Sequence, residues 1–171
     1  TIVASGEQSG YPHASTSKKK VKNGDLVLVD IGAKWEGYCS DLSRTFILGP
    51  RGEEAKELIA LVNAGQQHAL EHVKVGIQCR DLDKEVRDYF IQHHEEWGKR
   101  FIHSLGHGVG IDIHEQPRLS PLSDLTLEEN MVTTIEPGLY IPGLGGARTE
   151  DMVVVKKEGH RNLSKAPKFH Y

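Results

Sequence analysis

The chain has 171 residues, 37% of them apolar and 26% charged, with 21 Lys+Arg against 24 Asp+Glu and a net charge of −3. That is the length of one domain, 1–171, with enough apolar content for its own core. The slightly acidic balance excludes a broadly basic binder of nucleic acid or anionic membrane, and no apolar run is long enough to cross a bilayer. Two cysteines, Cys39 and Cys79, with no C-x-x-C, read as reduced thiols in a cytoplasmic protein.

Thr1-Ile2-Val3-Ala4 reads as the middle or end of a strand. A polar, turn-rich stretch follows to Asp25, holding His13 beside Pro12 and a solvated cluster of lysines. After the turn signal Asn23-Gly24, Leu26–Ile31 is strongly β-prone. Tyr38–Leu48 is expected to return antiparallel to it through a hairpin closed near Gly32–Gly37. From Glu53 the period becomes helical, with Ala55, Leu58, Ile59, Val62, Ala69, Leu70 and Val73 on one stripe. Arg80 to His94 predicts a second helix, favoured at its start by Asp81 and Asp83. Phe101–Leu105 reads as a short strand before Gly106, Gly108 and Gly110. A strand pair, Met131–Glu136 and Arg148–Val155, closes the chain around the Pro- and Gly-rich PGLYIPGLGGA. The order hairpin, helices, hairpin predicts an α+β domain with an antiparallel sheet covered by helices on one face.

Four acids stand out because they interrupt or end strands. Asp30 ends the apolar run LVLVD, and Asp41 lies on the returning strand, where the hairpin is expected to set it against Asp30. Glu136 and Glu150 repeat the arrangement in the last third. Like charges gathered in a core repel and are driven neutral, and a pair of divalent cations removes that cost. His103, His107 and His114 follow one another in HSLGHGVGIDIH, with glycines beside His107 sparing space in crowded backbone. Oxygen-rich ligands with one imidazole suit Mn²⁺, and less exclusively Co²⁺, Fe²⁺ or Zn²⁺. The H-E-x-x-H motif is absent, and the three glycines lack the G-x-G-x-x-G spacing of a dinucleotide site. His68 and His72, one turn apart on the first helix, read as solvated or half-buried helix residues.

The segments VDIGAKWEGYCSDLSRTF, HSLGHGVGIDIHEQP, TTIEPGLY and ARTED resemble, in order, the metal-site blocks of the "pita-bread" metallopeptidases. That family holds the methionine aminopeptidases, Xaa-Pro aminopeptidases, prolidase and creatinase. The resemblance implies a pita-bread fold and two divalent ions held by Asp30, Asp41, His107, Glu136 and Glu150, with Asp41 and Glu150 bridging. It places His114 and His13 on either side of the substrate, and Glu136 as the group that moves the proton of the attacking water. His103 and Arg148 resemble the Xaa-Pro-cleaving branch. Asn130 stands where the family commonly has glycine, and Thr149 where it has an aliphatic residue; both are expected to be neutral.

The implied activity is hydrolysis of the bond preceding proline in Xaa-Pro peptides by a hydroxide bridging two ions, Mn²⁺ in the first instance. The alternatives are a methionine aminopeptidase-like or creatinase-like hydrolase, and a metal-free binding protein of the same fold. Family members are longer at their N-terminal side. The expectation is therefore that a helix pair and a strand precede Thr1, as an N-terminal companion chain of the same protein, and that the assembly is a homodimer.

Overall fold

A computed structural model describes residues 1–171. Its first sheet is built from β1 (Ile2–Ser5), β2 (Leu26–Ile31) and β5 (Leu42–Ile47), in the order β1-β2-β5. β2 and β5 run antiparallel, but the hairpin between them is longer than the sequence suggests. The chain first makes a small ribbon, β3 (Lys34–Trp35) with β4 (Tyr38–Cys39). Glu36 and Gly37 form its two-residue turn, both at positive φ, 47° and 90°, as the tight hairpin turns require. The turn thus sits at Glu36-Gly37, and Tyr38–Leu48 is two strands broken at Ser40–Asp41. The register follows: Asp30 pairs with Ser43, and Asp41 lies just outside the ladder instead of opposite Asp30.

Two helices follow where the period places them, α1 (Glu53–His72) and α2 (Cys79–His93), with a further turn α3 (Glu95–Gly98). Leu58, Ile59, Val62, Leu82, Val86 and Phe90 from their facing stripes are buried in one core with Leu105, Leu119, Ile135 and Leu139. Burying each such side chain is worth about 1.5–3 kcal/mol, so these stripes fasten the helices to the sheets.

The second sheet has five strands in the order β12-β11-β8-β6-β7: β6 (Gly106–Gly108), β7 (Glu115–Leu119), β8 (Val132–Ile135), β11 (Asp151–Val155) and β12 (His160–Asn162). Phe101–Leu105 is an irregular approach to it, not a strand; the strand is the glycine segment itself. A side chain at Gly106 would place its Cβ 2.0 Å from the carbonyl oxygen of Thr134, and one at Gly108 would stand 2.1 Å from that of Gln116. Only glycine lets the backbone on either side of His107 come this near its neighbours. The expected strand Arg148–Val155 is likewise split. β10 (Gly145–Arg148) pairs with β9 (Gly138–Ile141), so the Pro- and Gly-rich connection is itself a hairpin, and β11 pairs with β8 as anticipated. Asn130 adopts a φ of 70°, the left-handed backbone that asparagine tolerates.

The two strand systems meet at the break between β10 and β11. Glu150 donates its N–H to the carbonyl of Ser43 at 3.0 Å, and the Arg148 N–H reaches Thr45 Oγ1 at 3.0 Å. Behind this seam a buried ion pair, Arg44 Nη2 to Asp151 Oδ1 at 2.6 Å, ties β5 to β11. From α1, Gln66 Nε2 donates to the carbonyl of Ile135 at 3.0 Å. Strand breaks at Asp41, Glu136 and Glu150 therefore fall together where the sheets join.

Candidate metal centre

The seam opens into a cavity of about 310 Å³ whose lining contains no hydrophobic residue. Asp30, Asp41, His107, Glu136 and Glu150 line it, together with His13, His103, His114 and Arg148. Ligand atoms of Asp41, His107 and Glu150 lie within 4.8 Å of one another. Glu136 Oε1 stands 3.2 Å from His107 Nε2, and Asp41 Oδ2 stands 3.6 Å from the same nitrogen. Asp30 is turned toward Arg148, whose guanidinium holds its Oδ2.

Each of these side chains is positioned by backbone. His107 is central in β6, its N–H accepted by Thr134 Oγ1 at 3.1 Å and its Nδ1 facing the carbonyl of Gly108 at 3.0 Å. With the Nδ1 proton given to that carbonyl, Nε2 is the nitrogen turned to the cavity, donating to Glu136 while protonated and presenting a lone pair once that proton is lost. Thr134 also donates to Glu136 Oε1 at 3.3 Å. Ser43, Asp30's partner in the ladder, donates to Glu150 Oε2 at 2.8 Å and accepts from Arg148 Nε at 3.0 Å.

The electrostatics show what this assembly lacks. Burial, reinforced by Asp30 and Glu136, pushes the Asp41 carboxyl up to about 6. Burial also raises Glu150 well above the usual carboxylate range, with Glu136 and Asp41 adding repulsion. Glu136 is partly buried too, yet the hydrogen bond from His107 and the charges around it hold its carboxyl below the ordinary value. His107 is raised despite burial, because Glu136 and Asp41 favour its protonated form. Carboxylates that repel one another around an imidazole are the donor set that divalent cations satisfy, and oxygen-rich sites with one nitrogen fit Mn²⁺-type ions. The residues present fit the group.

Arg148 and His103 belong to a chain of hydrogen bonds beside the acids. Arg148 Nη1 donates to the Tyr140 hydroxyl at 2.8 Å and to the carbonyl of Pro12 at 3.1 Å. The Tyr140 hydroxyl in turn lies 2.8 Å from His103 Nε2, and His103 Nδ1 lies 2.8 Å from the carbonyl of Ser104. The direction is set by chemistry: Arg148 can only donate, so Tyr140 passes its own proton toward a neutral His103. Burial lowers His103 and raises Tyr140 to about 12, consistent with both staying uncharged. His103 is thus engaged with Tyr140 and not with the acids.

His114 and His13 stand at the exposed rim. The His114 ring meets that of His107 edge-on with centroids 4.3 Å apart, and burial together with His107 lowers its pKa. Three contributors escaped the sequence reading. Ser43 and Tyr140 act through hydrogen bonds across strands whose pairing no local signal gives. Arg118 stands on the wall shared with an adjoining cleft of about 870 Å³; its place one residue after Pro117 in HEQPR was the only hint.

Comparison with known proteins follows the same lines. The chain is 44% identical over 165 residues to the Xaa-Pro dipeptidase of Pyrococcus horikoshii, covering 96% of this chain and 46% of that one. The structure matches the Xaa-Pro dipeptidase from Bacillus anthracis with a TM-score of 0.94 at 43% identity, covering 99% of this chain and 47% of the other. It matches the X-Pro aminopeptidase from Thermotoga maritima with a TM-score of 0.93 at 40% identity, covering 99% and 48%. The chain therefore spans about half the length of the relatives it matches. The model of metallopeptidase family M24 matches residues 1–157, and the chain belongs to that family.

Proposed function

We propose that residues 1–171 are the catalytic unit of a metal-dependent peptidase that hydrolyses the bond preceding proline in Xaa-Pro peptides. The observation that carries this reading is the convergence of Asp30, Asp41, His107, Glu136 and Glu150 on one wholly polar cavity, flanked by further imidazoles. The Xaa-Pro specificity rests on the likeness to Xaa-Pro dipeptidases and an X-Pro aminopeptidase. A pair of divalent cations held by those five residues, Mn²⁺ in this reading, supplies the positive charge that acidifies water and polarises a carbonyl.

The chain's own groups do the rest. Glu136 stays ionised and can accept the proton of the attacking water and return it to the leaving amine. His114, held neutral at the rim, offers an N–H to the oxygen that becomes negative in the tetrahedral intermediate, and His13 lines the same cavity. Arg148 orients Asp30 directly and His103 through Tyr140. Arg118 adds a positive charge where the cavity meets the larger cleft, a position suited to a substrate carboxylate.

Further polypeptide on the N-terminal side and a second copy of the chain complete the proposed assembly, in a cytoplasmic setting that suits two unpaired cysteines. No helix is long and apolar enough to cross a membrane. The test is turnover with Mn²⁺ on an Xaa-Pro peptide beside a Met-Ala peptide. Cleavage of the first and not the second is expected; preference for Met-Ala would assign the methionine aminopeptidase activity instead.

A further inference from the structure

The cavity at the seam does not account for every set of metal-ligating side chains. His68 and His72 lie one turn apart near the end of α1, so both imidazoles leave the helix on one face. Glu85, from the middle of α2, meets them there. One ligand atom from each of the three lies within 4.8 Å of the others, and all three residues are half-buried.

Two features show that these groups are held in place. Glu85 Oε2 is buried without a hydrogen-bond partner, 3.8 Å from His72 Nδ1. The Glu85 side chain as a whole keeps 42% of its surface in water, but this one oxygen is turned inward with no donor beside it, in a position to accept a cation. The imidazoles are also pre-oriented. His68 stacks on Tyr89 with centroids 4.7 Å apart, and Tyr89 stacks on His93 at 4.0 Å. His72 Nδ1 lies 2.8 Å from the carbonyl of His68, which leaves Nε2 with the free lone pair. Burial and the neighbouring His72 lower the pKa of His68, against the opposing pull of Glu85 and Glu71, and the neutral ring is the form that binds metal.

We infer that His68, His72 and Glu85 form a mononuclear divalent-cation site, separate from the cavity at the seam, that clasps α1 to α2. Two nitrogens and one carboxylate, with a fourth position left to water, match the preference of Zn²⁺, whereas the oxygen-rich cavity suits harder ions. The paired histidines alone resemble any exposed helix face; the carboxylate comes from a second helix, and only the packing of α1 on α2 brings it to them. An ion bound there stabilises the folded layer, because the unfolded chain holds no such site.

The test counts metal in the intact protein. The protein is saturated with Mn²⁺, equilibrated with buffered Zn²⁺, and total Mn plus Zn per chain is measured beside the His72→Ala and Glu85→Gln variants. The wild-type protein is expected to hold one more ion than His72→Ala. Glu85→Gln, which keeps the side chain's shape, is expected to weaken that extra equivalent at least about tenfold. Zn²⁺ at about a hundredfold excess over its Kd is expected to raise the wild-type Tm roughly 5–10 °C more than that of His72→Ala. Equal metal totals in wild type and both variants, or equal Zn²⁺-dependent shifts in Tm, would overturn the assignment. Cu²⁺ spectra showing two nitrogen ligands in the wild type that vanish in His72→Ala would support it independently, because the seam offers one imidazole in its ligand cluster.

Discussion

The helix layer and the floor of the cavity occupy one fold and obey opposite rules. Where α1 packs on α2, the side chains of Leu58, Val62, Leu82, Val86 and Phe90 are fully excluded from water and apolar throughout. At the seam the interior holds Glu150, 1% exposed, with Asp41, Glu136 and His107 around it. The first region gains stability from each of those side chains. The second loses stability, because its buried carboxylates repel one another. The difference teaches where function lies: chemistry is located where burial works against the fold.

The contrast is broken most severely at Glu150. Glu150→Gln is expected to lower peptidase activity by at least about 10³-fold, the upper end of what a single preorganised electrostatic group supplies. The same change should leave the metal-free protein as stable as before, or more so, since it removes a carboxyl that the fold holds against repulsion. Urea unfolding of both proteins after chelation checks this; a large loss of metal-free stability would mean that Glu150 is structural.

Substitution at the rim separates binding of metal from use of it. His114→Ala is expected to lower kcat about 10²-fold while metal content stays unchanged. Loss of metal together with activity would move His114 into the ligand set.

In the helix layer the reverse pattern holds. Leu82→Ala is expected to cost about 2–5 kcal/mol and to lower Tm by roughly 2–4 °C for each kcal/mol. Metal content and the activity of the folded fraction should be unaffected.

These regions also differ in how far the sequence discloses them. The helices are local: the apolar stripe from Ala55 to Val73 places α1 to within a residue of Glu53–His72, and α2 follows as closely. The site residues are conspicuous as types, since an acid at the end of LVLVD or before an aliphatic run needs a reason. Their geometry is not local. Asp41 was expected opposite Asp30, yet the Glu36-Gly37 turn adds the β3–β4 ribbon and puts Ser43 there instead. The break at Thr149–Glu150 joins two sheets by pairing with β5, a contact that spans more than a hundred residues and leaves no periodic trace. Tyr140 stands in a Pro- and Gly-rich connection, which signals a loop, and only the β9–β10 register sets it diagonal to Arg148.

A subtler expression of the comparison is the dependence on pH. Asp41 titrates near 6 in the fold against an ordinary 3.8. Between those values the folded state holds more protons than the unfolded one, so stability falls as pH rises from about 4 to about 6. Glu150 and His107, both raised, act in the same direction; Glu136, lowered, opposes it only below its ordinary 4.5, while His68, His103, His114 and His160, all lowered by burial, oppose it below their ordinary 6.5. The contribution of Asp41, read as the urea stability of the metal-stripped protein minus that of its Asp41→Asn variant, is therefore expected to be more favourable at pH 5 than at pH 7.5. Mn²⁺ should reverse that order, because cations compete with protons for the same oxygens. An unchanged order with Mn²⁺ present would show that the cavity does not bind the ion.

The central claim is that the seam holds a pair of cations. Anomalous diffraction at the manganese edge from crystals grown with saturating Mn²⁺ tests it most directly. Two neighbouring peaks are expected in the cavity, each in contact with side chains drawn from Asp30, Asp41, His107, Glu136 and Glu150 and jointly involving all five. A metal-replete crystal in which those five side chains share no ion, or in which manganese lies only elsewhere, would contradict it.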